Sequence, residues 1–101
     1  MKKLQLTIYL NETDMSGDLA LHEVVVRKLL YLELAGATVM QGVMGYGRHG
    51  KVHRKRLFGV SDDRPMLIIA IDDEAKVRKT LAEVKAMVPE GLITLHEVEV
   101  A

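Results

Sequence analysis

No cysteine occurs among the 101 residues, so the chain holds no disulfide, no thiolate metal ligand and no thiol nucleophile, which suits a reducing cytosol. Aromatic residues are nearly as scarce, with no tryptophan, one phenylalanine and three tyrosines. Few side chains can therefore stack on nucleic-acid bases. Net charge is missing too: 14 Lys and Arg cancel 14 Asp and Glu. General attraction to nucleic acid or membrane is thereby excluded, and only a local patch remains. No stretch approaches the ~20 apolar residues of a membrane span. Met1-Lys2-Lys3 carries the charge of a signal-peptide start, but Gln5, Thr7, Asn11 and Glu12 interrupt the apolar run that should follow. The expectation is a cytoplasmic protein, one domain over residues 1–101, with no cofactor. Hydrophobic residues still make up 49% of it. That exceeds the need of a small monomer and is a first sign of self-association.

What is present falls into two periods. Leu4, Leu6, Ile8 and Leu10 alternate with Lys3, Gln5, Thr7 and Tyr9, the pattern of a half-buried strand. Asn11 to Gly17 is polar and turn-like. From about Asp18 the period lengthens, and Leu21, Val24, Val25, Leu29 and Leu32 fall on one helical face. Val26 and Leu30 lie on the far side of that helix, where the second helix is the expected contact and another subunit the alternative. Gly36 marks the expected end of the helical region, and Ala37 to Met44 reads as a second strand. Pro65 restarts the chain ahead of Met66-Leu67-Ile68-Ile69-Ala70-Ile71, apolar throughout and so predicted to be a central strand. Asp72 and Asp73 are the expected helix N-caps, with Glu74 in the first turn. Val77, Leu81, Val84 and Val88 form the apolar stripe of the second helix. Pro89-Glu90-Gly91 ends it, and Leu92 to Val100 alternates as a last strand.

Strand, helix, strand, strand, helix, strand is the split βαβ order of an α+β, ferredoxin-like domain. Right-handed crossovers place both helices on one face of a four-stranded antiparallel sheet. The other face is left bare. The all-apolar third strand must then show Met66, Ile68 and Ala70, or Leu67, Ile69 and Ile71, on that face. Each large aliphatic side chain buried is worth ~1.5–3 kcal/mol. Closure of the bare face against sister subunits is therefore expected.

Gly42 to Arg56 is the stretch with chemistry in it: glycines closely spaced, then clustered positive charge, with no acidic residue between Glu33 and Asp62. Glycine lets backbone N–H groups approach a ligand, and the basic side chains favour an anion. Gly45-Tyr46-Gly47-Arg48-His49-Gly50 spells a dinucleotide fingerprint, but no helical periodicity follows it and the chain is too short for two mononucleotide halves. Gly45 to Lys51 also spells most of a P-loop, yet Val52 stands where the magnesium-binding hydroxyl belongs. His49 and His53 lack a third metal ligand nearby, so no metal site is expected. Capping accounts for Asp72, Asp73 and Glu74 without catalysis, and Ser16 and Ser61 have no adjacent base. His22 and His96 read as structural. No catalytic residue is assigned. Only Tyr46 and Phe58 could stack among the basic residues, which argues against nucleic acid. A solvated loop and an anion-binding loop both fit this stretch, and the coincidence of glycine with positive charge favours the second.

Gly36-Ala37-Thr38-Val39, Gly42, Gly45-Tyr46-Gly47, His53 and the strand after Pro65, with Gly91-Leu92-Ile93-Thr94-Leu95 and Glu97-Val98-Glu99-Val100, together resemble an uncharacterised family of PII-like proteins (domain-of-unknown-function family 190). The resemblance implies a ferredoxin-like subunit, commonly a homotrimer, without an assigned activity. The wider PII group are signalling proteins that bind adenine nucleotides between subunits and engage transporters or enzymes through a flexible loop. On that likeness the candidate ligand-binding residues are Gly42, Gly45, Tyr46, Gly47, Arg48 and His53. Gly45, Gly47 and Arg48 would form the base of the loop that wraps the phosphates. Lys51, Arg54, Lys55 and Arg56 would face a partner. The likeness stops at Val88-Pro89-Glu90-Gly91 and at Glu97 and Glu99, where PII proteins carry a glycine-rich, lysine-bearing segment and arginines. A non-enzymatic regulator with a small anionic ligand is the leading expectation. An oligomeric interaction module whose basic loop docks on a transporter or other acidic partner is the alternative.

Overall fold

The computed structural model describes residues 1–47 and 64–101 together with the backbone of His53–Arg54. Four strands make the main sheet: β1 (Lys2–Asn11), β4 (Ala37–Gln41), β7 (Pro65–Asp72) and β8 (Leu92–Glu99). Their order is β4-β7-β1-β8, and every neighbouring pair is antiparallel. The ferredoxin-like α+β architecture and the central placing of β7 are both as the sequence predicts. Two helices, α1 (Leu21–Tyr31) and α2 (Glu74–Met87), cover one face.

Period decides which side chains meet. Leu4, Leu6, Ile8 and Leu10 of β1 and Met66, Ile68 and Ala70 of β7 are buried on the helix side. Val25 and Leu29 of α1 and Val77 and Val84 of α2 descend on them, each within 1% of full burial. Thr80 also points inward, and its hydroxyl avoids an orphaned donor by bonding to the Val77 carbonyl at 2.8 Å.

Several local expectations are corrected. Residues before Leu21 do not join the first helix. They form a small hairpin, β2 (Met15–Ser16) with β3 (Leu19–Ala20), whose turn holds Gly17 at φ 61°. The first helix stops at Tyr31 rather than near Gly36. A Schellman closure ends it, with Glu33 N–H donating to Leu30 at 2.9 Å and Leu34 N–H donating to Leu29 at 3.1 Å. The second strand stops at Gln41, and Met44–Gly45 forms a separate ribbon, β5, paired with β6 (His53–Arg54). The aspartates do not cap as expected. Asp73 occupies the N-cap position of α2 without a side-chain capping bond, its carboxylate pairing with Lys3 instead. The Asp72 carboxylate accepts from Asp73 N–H at 2.7 Å and from Ala35 N–H at 2.9 Å. Leu30 does not meet the second helix: it is 75% exposed, while Val26 packs half-buried against the core.

Opposite the helices the sheet carries Leu67, Ile69 and Ile71, the second of the two sets that the sequence allowed. Register aligns Met40 with Leu67, Leu67 with Tyr9, and Tyr9 with Leu92. These four apolar side chains form one row across all four strands. Tyr9, Met40 and Leu92 are exposed within the single chain.

Candidate functional site

The row just described ends at the same edge of the sheet as the glycine-rich stretch, because Met40 is followed by Gln41 and Gly42. Gly42 lies where the chain leaves β4 and crosses the first residue of β7. Its N–H donates to the Pro65 carbonyl at 2.7 Å, and a β-carbon on Gly42 would stand 2.5 Å from Pro65 Cγ. Only glycine permits that approach. A β-carbon on Gly45 would also touch the proline ring, at 3.3 Å, whereas around Gly47 there is open space. Val43, Met44 and Tyr46 project into solvent between these glycines.

Of the residues singled out from the sequence, Gly42, Gly45, Tyr46 and Gly47 therefore lie together on one short path beside Pro65. His53 and Arg54 lie on β6, opposite Gly45 and Met44 respectively. Arg48, Lys51, Lys55 and Arg56 lie outside the described residues, as does His49.

Three residues at this edge are not among those singled out from the sequence. Glu12 follows β1, Gln41 ends β4 and Arg64 precedes β7. Gln41 Nε2 donates to Glu12 Oε2 at 2.8 Å, Arg64 Nη1 donates to Gln41 Oε1, and Arg64 Nε stands 3.6 Å from Glu12 Oε2. The backbone repeats the connection, with Glu12 N–H donating to the Arg64 carbonyl at 2.7 Å. A polar knot thus ties the end of β1 to the two strand ends from which the glycine-rich segment departs. The only hint was Arg64 standing directly before Pro65, a strand start; nothing in the sequence marks Glu12 or Gln41 as its partners.

Two clefts among the described residues suit an anion poorly. One cleft of about 390 Å³ between the β2–β3 hairpin and the end of α2 has Asp14 and Glu90 as its charged lining. A groove of about 430 Å³ between α1 and β4 offers Arg27, but Glu23 already pairs with it at 3.1 Å. His22 Nδ1 is buried beside that groove without a hydrogen-bond partner. No cluster of three His, Asp or Glu that could hold a metal occurs among the described residues, and no described helix is long and apolar enough to cross a membrane.

Comparison with known proteins gives a consistent likeness. The model of the DUF190 family, described as "Uncharacterized ACR", matches residues 3–100. A UPF0166 protein of Aquifex aeolicus (strain VF5) is 31% identical over 100 residues, covering 99% of this chain and 94% of its own. Among solved structures, CPII from Thiomonas intermedia K12, a nitrogen regulatory PII-like protein bound to ADP, AMP and bicarbonate, superposes with a TM-score of 0.73. That match has 22% identity and covers 99% of this chain and 89% of the other. A protein of Thermus thermophilus described as a PII-like signalling protein gives 0.70 at 14% identity, covering 99% and 90%. At these identities the structural matches establish a shared fold.

Proposed function

The chain belongs to the uncharacterised DUF190 family and has the PII-like fold, and from that premise we propose that it is a non-enzymatic regulatory protein. It assembles as a homotrimer through the bare sheet face, binds a small anionic ligand at the seams, and engages a partner protein through residues 45–60. The observation that carries this reading is the meeting of two features at one sheet edge. The apolar row Met40–Leu67–Tyr9–Leu92 asks for a covering subunit, and the glycine path Gly42–Gly47 runs beside it, packed on Pro65 at Gly42 and Gly45 and open around Gly47. Glycine backbone beyond Gly42, with positive charge from Arg48 and a ring N–H donor from His53, suits a phosphate. An adenine nucleotide is the first ligand to try, since CPII was solved with ADP and AMP.

The run Lys51, Arg54, Lys55 and Arg56 in a stretch free of acidic residues favours a second reading, an oligomeric module that docks on an acidic partner such as a transporter without any nucleotide. Calorimetry with ATP, ADP, AMP and cyclic nucleotides separates the two. Saturable heat with one of them supports the sensor; no heat from any, at millimolar concentration, removes nucleotide sensing and leaves the docking module.

A further inference from the structure

The Glu12–Gln41–Arg64 knot is unevenly made, and the unevenness is informative. Arg64 is the residue whose own backbone carbonyl receives Glu12 N–H, and the next carbonyl, that of Pro65, receives Gly42 N–H. Arg64 therefore lies on the chain segment that borders the glycine path, and its guanidinium reaches the side chain of Gln41, the residue before Gly42. Its side chain is 17% exposed, and that of Glu12 is 29%. Arg64 Nε is buried with no hydrogen-bond acceptor, because the Glu12 oxygen at 3.6 Å is close enough to pair charges but too far to accept the proton. The neutral amide of Gln41 does the joining, accepting from Arg64 on one side and donating to Glu12 on the other.

A guanidinium presents a planar fork of donors that matches two oxygens of a phosphate or carboxylate. Here that fork is shared between an amide oxygen and a carboxylate that does not reach hydrogen-bond distance. The pairing neutralises Arg64 without satisfying it. A better oxyanion reaching the strand end where Gln41 holds the guanidinium would have the charge to displace Glu12 and would meet the unpartnered Nε donor.

We infer that Arg64 is a cation held in reserve for the oxyanion of the loop base, and that Glu12 is its competing internal ligand, with Gln41 as the positioning residue that keeps the guanidinium at the strand end. The inference rests on the proposed anion site and adds its control. Glu12 lowers the affinity of the site, and oxyanion binding frees the Glu12 carboxylate. The coupling is reciprocal, so whatever draws Glu12 away from Arg64 strengthens ligand binding by the same factor.

The test compares wild type with Glu12→Gln and Arg64→Gln by calorimetry, using ADP as the probe. Glu12→Gln keeps the shape and hydrogen bonding of the knot while removing its negative charge, so affinity should rise on the order of 5-fold or more. Arg64→Gln should weaken binding, and Arg64→Lys, which keeps the charge but loses the fork, should fall between. Arg64→Lys carries the test if Arg64→Gln does not fold. Glu12→Gln that binds no tighter than wild type overturns the inference, as does Arg64→Lys that binds as well as wild type. If ADP gives no heat, the titrations are repeated with inorganic pyrophosphate. Pyrophosphate bound more tightly by Glu12→Gln upholds the role of Arg64 while refuting the nucleotide reading. No binding of either probe by wild type or Glu12→Gln overturns both.

Discussion

Asp72 shows how much of a small fold can hang on one carboxylate. It ends β7, holds the connection after α1 through the Ala35 amide, and fixes the backbone entering α2 through the Asp73 amide. Burial opposes its charge. The Asp73 and Ala35 N–H donors, with the Lys76 and Lys3 ammoniums, outweigh that opposition and hold the carboxyl below its usual range. A depressed native value gives stability that is complete above the unfolded-state pKa, about 3.9, and is lost as pH falls through the native value. Asp72→Asn turns an NH2 group toward one of the two donors, so it should cost about 1–3 kcal/mol near neutrality. The gap to wild type should close below about pH 4, as wild type itself takes up the proton. Urea unfolding at neutral and acid pH measures both; a gap that stays constant across that range would contradict the assignment. In the sequence Asp72 looked like a cap for the helix that follows it. One of its partners, Ala35, is 37 positions away, and no local pattern encodes a bond of that range.

The elements were largely legible because each rests on a period. The alternation of β1 survives except at Thr7, which is buried as well, and Val77 and Val84 of α2 stay in the core while Leu81 is only half-buried and Thr80 takes a buried place beside them. What the sequence misplaced are the ends, where a backbone bond outranks a residue preference. The first helix offers the clearest case: Gly36 looked like its terminator, but the left-handed closing position is taken by Glu33 at φ 64°. A side chain with a β-carbon is strained there, and glycine is not. Glu33→Gly should therefore stabilise the protein by about 0.5–1 kcal/mol, read as a raised urea midpoint with an unchanged slope; a lowered midpoint would show that the Glu33 side chain contributes a contact beyond the helix end. The glycine path at the candidate site was equally visible, since glycine and proline mark close approach wherever they meet. The Glu12–Gln41–Arg64 knot was not. It brings together three strand ends whose neighbourhood exists only after the sheet has formed, and none of the three residues is unusual in its own segment.

Among the described residues, helices clothe one side of the sheet and no element covers the other. Helices α1 and α2 bury Leu6, Ile8 and Ile68 almost completely, yet Leu67, Ile69 and Ile71 stand half-buried on the other face, with Tyr9, Met40 and Leu92 more open still. Apolar surface returns about 25 cal/mol for each Å² withdrawn from water, and a row that crosses four strands is a ready interface. The bareness was readable from the sequence, because two helices cannot cover both faces of a sheet whose central strand is apolar at every position. Which set of residues faces outward was not, since an all-apolar strand gives no phase; pairing with β1 supplied it. The anion site of the proposed function needs the seams that such an assembly makes, because the two clefts described among these residues carry acidic or already paired charges. Sedimentation equilibrium at micromolar concentration tests this most directly. The expected result is a single species of three times the 11.3 kDa chain mass, and a stable single-chain species would contradict the assembly and remove the seams on which the ligand site depends.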